Sequence, residues 1–255
     1  MVRPGFVLEV DDKTPPLLRV AAADVALTRF PLGTQVLYPP DAVASTNPVP
    51  LIDAALVNPV DGEPPEFSAD KKVTIVISAD EVVQPRMRFD VRRTIVERTL
   101  ELAARAGVED IEIVIASGLR RGWTTEEIVE NLGERVASSF LPDGLITNHD
   151  VTGKDLLLLG EVRDVPVRLN ARVAQSDLVI VVGVTTGQNR PLSVTVGLTD
   201  VTTIDRIRGF EAQSDVAGEI ADLVCAGRSF FSVNAVLGQP HMGQSLSFLH
   251  RREWE

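Results

Sequence analysis

KKVTIVISADEVVQP, residues 71–85, decides the fold. Its apolar run, KKVTIVIS (71–78), reads as a strand, and the stretch that follows, FDVRRTIVERTLELAARAG (89–107), is amphipathic at helical spacing. Val91, Ile95, Leu102 and Ala106 lie near one face, and Arg92, Arg93, Glu97, Arg98 and Glu101 near the other. Gly107 supplies a C-cap. The same alternation continues through IEIVIASG (111–118), the helix TTEEIVENLGERVASSF (124–140), LITNHD (145–150) and DLVIVVGV (177–184). Strands alternating with helices imply crossover connections, so the expected class is α/β, a mainly parallel sheet with flanking helices in Rossmann-like layers.

The rest of the chain fits around that core. The 255 residues suffice for a substantial core and read as one domain over 1–255. Few aromatic residues leave Val, Leu, Ile and Ala to build the interior, a mix suited to strands buried on both faces. Residues 1–70 hold much of the proline, in PPLL, FPLG, YPPD, NPVP and EPPEF, and read as an irregular β-rich lobe with strands at GFVLEV (5–10) and GTQVLY (33–38). The α/β core spans 71–209. Residues 210–255 add a helix, SDVAGEIADLVCAG (214–227), a strand, RSFFSVNAVLG (228–238), and a tail of ambiguous pattern.

A formal net charge of -11 argues against nucleic acid or anionic lipid as a partner. The single cysteine, Cys225, excludes an internal disulfide and any multi-cysteine metal site. The opening MVRPGFVLEVDDK lacks the apolar core of a signal peptide, and no window reaches the length of a membrane span. A cytoplasmic location is the expectation.

Ligands of parallel sheets sit beyond the carboxyl ends of strands. Those ends here are Ser78–Pro85, Ser117–Trp123, Asn148–Asp150 and Gly183–Arg190. In ASGLRRGWTTEE (116–127), Thr124 is an N-cap, Glu127 completes a capping box, and Trp123 can pack on Ile128 as a staple. Arg120 and Arg121 beside that helix start either form a small-anion site or are solvated surface charges. After the first sheet strand, Asp80 or Glu81 serves as a base or as a cap for the next helix, with Gln84, Arg86 and Arg88 nearby.

His149, between Asn148 and Asp150, reads as an acid/base group or as a structural hydrogen-bonding group. Gln188 and Arg190 in GVTTGQNRP add further polar contacts. No histidine pair has metal-ligand spacing, so no metal site is expected. GxGxxG, P-loop and GxSxG patterns are missing from these loops.

ALVNPVDGEPP, TIVISADEVVQP, IEIVIASGLRR with WTTEE, NHD, LGEVRDVPVRLNARVAQSDLVIVVG and FFSVNAVLG, in this order over residues 50–238, resemble the amino-terminal domain of the nickel-dependent lactate racemase family. The resemblance implies a tethered nickel-pincer nucleotide that takes a hydride from the α-carbon of a hydroxy acid and returns it to either face. Several residues that this chemistry needs differ here. Glu81 and Gln84 stand where the family pattern has Asp and Arg, and Arg120 stands where it has an acid/base histidine. Arginine stays protonated and cannot shuttle that proton.

No histidine and no lysine occurs between Lys154 and His241, the region where the relatives carry a second catalytic histidine, the anchoring lysine and a nickel-ligating histidine. The chain also ends where the relatives begin a second domain. The expectation is therefore a racemase-like protein without the nickel cofactor. It would bind a small carboxylate or phosphate through Gln84, Arg120, Arg121, Asn148, Asp150, Gln188 and Arg190, or act as a homo-oligomer or a subunit of a larger complex. The alternative is an active racemase or epimerase served by a partner chain or another cofactor, with Glu81 and His149 as candidate catalytic groups.

Overall fold

The computed structural model describes residues 4–21, 24–38, 45, 47–79, 90–185, 192–208 and 214–236. The chain divides into two compact units, one built on Met1–Thr46, the other on Asn47–Glu81 and Asp90–Ala235.

The first unit holds β1 (Phe6–Glu9), β2 (Leu17–Ala21), β3 (Asp24–Thr28) and β4 (Gln35–Tyr38). β1 pairs antiparallel with β4, where the rings of Phe6 and Tyr38 stack with centroids 4.6 Å apart, and β2 forms a hairpin with β3. Both strands expected here are present.

The second unit opens with α1 (Val49–Val57), in a stretch whose prolines pointed to irregular β structure. Pro48 and Pro50 lie at the helix start, where their missing N–H groups have no intrahelical acceptor to satisfy. Then follow β5 (Val73–Ser78), α2 (Val91–Arg105), β6 (Ile111–Ala116), α3 (Thr125–Leu132), α4 (Glu134–Phe140) and β7 (Ile146–Asn148). β8 (Leu156–Val162), β9 (Val165–Asn170), α5 (Ala171–Ala174) and β10 (Leu178–Thr185) come next, and α6 (Leu192–Leu198), α7 (Val201–Arg208), α8 (Ser214–Cys225) and β11 (Ser229–Val236) complete the unit.

β11, β10, β5, β6 and β7 form one five-stranded parallel sheet in that spatial order. β5 is central and every residue of it is buried. On one face Ile75, Ile77, Ile113, Ile115 and Ile180 pack against α1, α2, α3 and α4. On the other, Val76, Val114, Val179 and Val181 meet α6, α8 and the β8–β9 hairpin. Alternate residues of one apolar run thus fill two cores, as a strand covered on both faces requires. The α/β reading of the sequence is what the chain adopts.

Two features differ from the expected elements. The helix expected over 124–140 is two helices: Gly133 has φ +85°, a conformation that other side chains rarely adopt, so the chain breaks at its glycine. The antiparallel hairpin β8–β9 occupies a stretch that carried no expected element. Its turn residues Arg163 and Asp164 both have positive φ, 49° and 63°, the geometry of a tight hairpin turn. Among the described residues no helix is long and apolar enough to cross a membrane.

Candidate functional site

From β5 the chain moves outward on one side to β6 and β7, then returns to the other side of β5 for β10 and β11. The crossovers therefore part company between β5 and β10. In open parallel sheets the ligand crevice lies at that switch, outside the carboxyl ends of the two strands. Those ends are Ser78 and Thr185. The candidates that follow them in sequence, Asp80, Glu81, Gln84, Arg86 and Arg88 after β5 and Gln188 and Arg190 after β10, lie outside the described residues.

Ser78 is 1% exposed. By strand alternation its side chain shares a face with Thr74 and Val76, the face on which α6 packs against β5 and β6. Its carbonyl accepts a hydrogen bond from Nη1 of Arg92 at 3.0 Å, while its Oγ has no hydrogen-bond partner. Arg92 stands in the first turn of α2. Its Nη2 lies 2.7 Å from Oδ2 of Asp90, the residue that caps this helix, and its guanidinium carbon sits 5.8 Å from the ring centroid of Trp123. One arginine thus ties the end of β5, the start of α2 and the loop after β6 together. The sequence placed Arg92 on the polar helix face and missed this role, because its acceptor is a backbone carbonyl fourteen residues earlier.

The loop after β6 carries Arg120 and Arg121. Its start is fixed by Gly118, whose N–H donates to the carbonyl of Gly197 in α6 at 3.2 Å. Arg121 forks onto Glu127, with Nη1 to Oε2 at 2.7 Å and Nη2 to Oε1 at 2.6 Å, and also donates to the Gly122 carbonyl. Glu127 accepts from the Thr124 N–H at 2.9 Å, and Thr124 Oγ1 accepts from the Glu127 N–H at 3.3 Å. The capping box read from TTEE is present, and its carboxylate stands beside Arg121 where an external anion was expected. That contact also raises the Arg121 pKa above its ordinary value. Arg120 is exposed on the same turn.

Asn148, at the end of β7, spends its amide on the backbone of Trp123: Oδ1 accepts from the Trp123 N–H at 2.8 Å and Nδ2 donates to its carbonyl at 2.9 Å. A Cβ on Gly122 would lie 2.5 Å from Cγ of Asn148, so glycine makes room for this clamp. Asp150 is exposed and accepts from the N–H and hydroxyl of Thr152, each at 2.9 Å. The N–H of Thr152 holds its carboxyl below the usual range.

His149 is 5% exposed. Its Nε2 lies 3.0 Å from the Thr199 carbonyl and must donate to it, so Nδ1 is the acceptor facing Nδ2 of Asn170 at 3.4 Å. Burial pushes the imidazole pKa below its ordinary value, and the neutral ring joins β7, β9 and the junction of α6 and α7. Asp200, at that junction, is 6% exposed, caps α7 through the Thr203 N–H and hydroxyl, and accepts from Nη1 of Arg168. Asn170, Thr199 and Asp200 escaped the sequence reading; the run TDVTT, with an acid before a helical stretch, was the available signal for Asp200. Among the described residues no group of three His, Cys, Asp or Glu side chains could hold a metal ion.

A sequence model of the lactate racemase N-terminal domain matches residues 29–187. In structure the chain is similar to the lactate racemase apoprotein from Thermoanaerobacterium thermosaccharolyticum, with a TM-score of 0.54 and 18% identity over 80% of this chain and 54% of that one. It is also similar to a protein from Thermotoga maritima solved by structural genomics, with a TM-score of 0.53 and 15% identity over 73% of this chain and 50% of that one. The chain thus spans about half the length of these solved structures. No curated protein matches it in sequence.

Proposed function

The chain belongs to the lactate racemase N-terminal domain family, and on that premise we propose that it binds a small hydroxy acid, or a carboxylate of similar size, at the crevice between the ends of β5 and β10 without racemising it through a nickel cofactor. What supports this reading is the side-chain chemistry at the strand ends. Arg120 stands where the family resemblance calls for a proton-carrying histidine, and arginine does not give up its proton in the working pH range. His149, the one histidine among the described residues, has both ring nitrogens engaged inside the fold.

The nickel-pincer nucleotide fits this donor set poorly. Neither a lysine to anchor it nor a histidine to ligate nickel occurs between Lys154 and His241, and His149 is too enclosed to serve in their place. A cleft that keeps its place in the fold but loses its proton carriers is suited to recognition.

Titration calorimetry with D-lactate and L-lactate, run beside chiral chromatography of each enantiomer after incubation with the protein, tests the proposal. Saturable binding with unchanged enantiomeric composition is the expected result. Interconversion by the protein, alone or with a second chain or another cofactor, would show an active isomerase and overturn it.

A further inference from the structure

The hydrogen bonds of His149 can be made only by a neutral ring. Nε2 donates to the Thr199 carbonyl at the α6–α7 junction, and Nδ1 accepts from Nδ2 of Asn170 at the end of β9. The Asn170 amide is held in that orientation, because its Oδ1 caps α5 by accepting from the Val173 N–H at 3.2 Å. A proton on Nδ1 would set two donors against each other, and an amide flip that offered Oδ1 to the ring would take the cap from Val173. Burial at 5% exposure disfavours the charged ring further. The charges around it are Asp150, next in the chain, Asp200 at the α6–α7 junction, and Arg168 of β9, which is bonded to Asp200. Asp150 is engaged by Thr152 and Asp200 by Thr203, and neither carboxylate forms an ion pair with the ring. From β6 the ring's residue meets the Ile115 carbonyl, which accepts the His149 N–H.

The junction held by His149 has three other ties. The Asp200 N–H donates to the Arg168 carbonyl at 3.2 Å, the Val201 N–H to the Val151 carbonyl at 3.3 Å, and the Gly118 N–H to the Gly197 carbonyl, two residues before Thr199, at 3.2 Å. All three are at the long end of the hydrogen-bond range. We propose that His149 is a pH-sensitive latch: with its ring neutral it holds the α6–α7 junction, and through Gly197 the loop that carries Arg120, and with its ring protonated it lets both go. In the released state the ring meets water and titrates near 6.5, whereas in the held state burial keeps it lower. Below that pH a proton therefore favours release, by about tenfold in the opening equilibrium per pH unit until the lower folded-state value is passed. No ligand is needed for this, so the latch stands or falls apart from the binding reading.

Amide hydrogen exchange followed by NMR on the full chain between pH 7.5 and 5.5, corrected for intrinsic rates, tests the latch at Gly118, Asp200 and Val201. In wild type the opening of these amides is expected to rise by that factor as pH falls below 6.5. At every pH they should open more readily than the amides of β5, which mark global unfolding. His149→Gln keeps a donor for the Thr199 carbonyl but cannot titrate, and is expected to abolish the pH dependence. Asn170→Asp offers the ring a carboxylate oxygen while the other oxygen keeps the α5 cap. In that variant the His149 ring carbons should titrate above 6.5, and the three amides should stay closed where wild type opens. The same pH dependence in wild type and His149→Gln would overturn the proposal, as would opening of the three amides only together with β5, or an unshifted ring titration in a folded Asn170→Asp. If Asn170→Asp fails to fold, the comparison of wild type with His149→Gln still decides.

Discussion

NHD, residues 148–150, shows how much a residue's partners decide. Asn148 holds the Trp123 backbone, His149 is enclosed with both ring nitrogens in use, and Asp150 caps its own turn. The sequence marked all three as site residues, yet the groups they meet lie up to fifty positions away, at Trp123, Asn170 and Thr199, and no local pattern announces them. His149 has a consequence that solution measurements can read. Its folded-state pKa is depressed by burial, whereas in the unfolded chain it titrates near 6.5. As pH falls below 6.5 the unfolded state takes up the proton first, so the stability held at neutral pH is lost progressively until the lower folded-state pKa is passed. Urea denaturation between pH 7.5 and 5 should therefore show a falling midpoint, and His149→Gln should flatten that slope whatever its effect at pH 7.5. A midpoint with the same pH dependence in the variant would mean that other groups govern it.

Elements were more legible than residues, because hydrophobic period and caps are local. The apolar runs at β5, β6 and β10, the amphipathic α2 and the capping box of α3 could all be read in order along the chain. The break at Gly133 could not, since a lone glycine inside a helical pattern is tolerated and nothing local announces its positive φ. The hairpin β8–β9 was hidden because the four consecutive leucines at 156–159 show no alternation, and a bulge between Leu158 and Gly160 shifts the register within the strand. Helix α3 offers a test of what holds the loop after β6. Thr124→Ala should cost about 1 kcal/mol through the lost cap, whereas Arg121→Ala, at a side chain 70% exposed, should leave the urea midpoint nearly unchanged. If Arg121→Ala proved the more damaging change, the loop would depend on its arginine rather than on the helix cap.

The whole molecule supplies what neither residue nor element could: the order of the strands. Four strand ends were equal candidates in sequence, and only the order β11, β10, β5, β6, β7 singles out the gap between β5 and β10. The arginine pair that drew attention in the sequence follows β6, one strand from that gap, and Arg121 is paired with Glu127. Ser78, the last residue of β5 and the first of one of those candidate strand ends, is buried, and its hydroxyl has no hydrogen-bond partner. The family's fold is kept, and the proposed loss of nickel chemistry rests on Arg120 and on the run from Lys154 to His241. The most direct test of this account is native mass spectrometry with elemental analysis of the protein purified from its own host. The account predicts a chain free of nickel and of any nucleotide-sized adduct, with a small acid retained under gentle conditions. Stoichiometric nickel together with a nucleotide-sized mass would contradict it and restore the racemase chemistry to this chain.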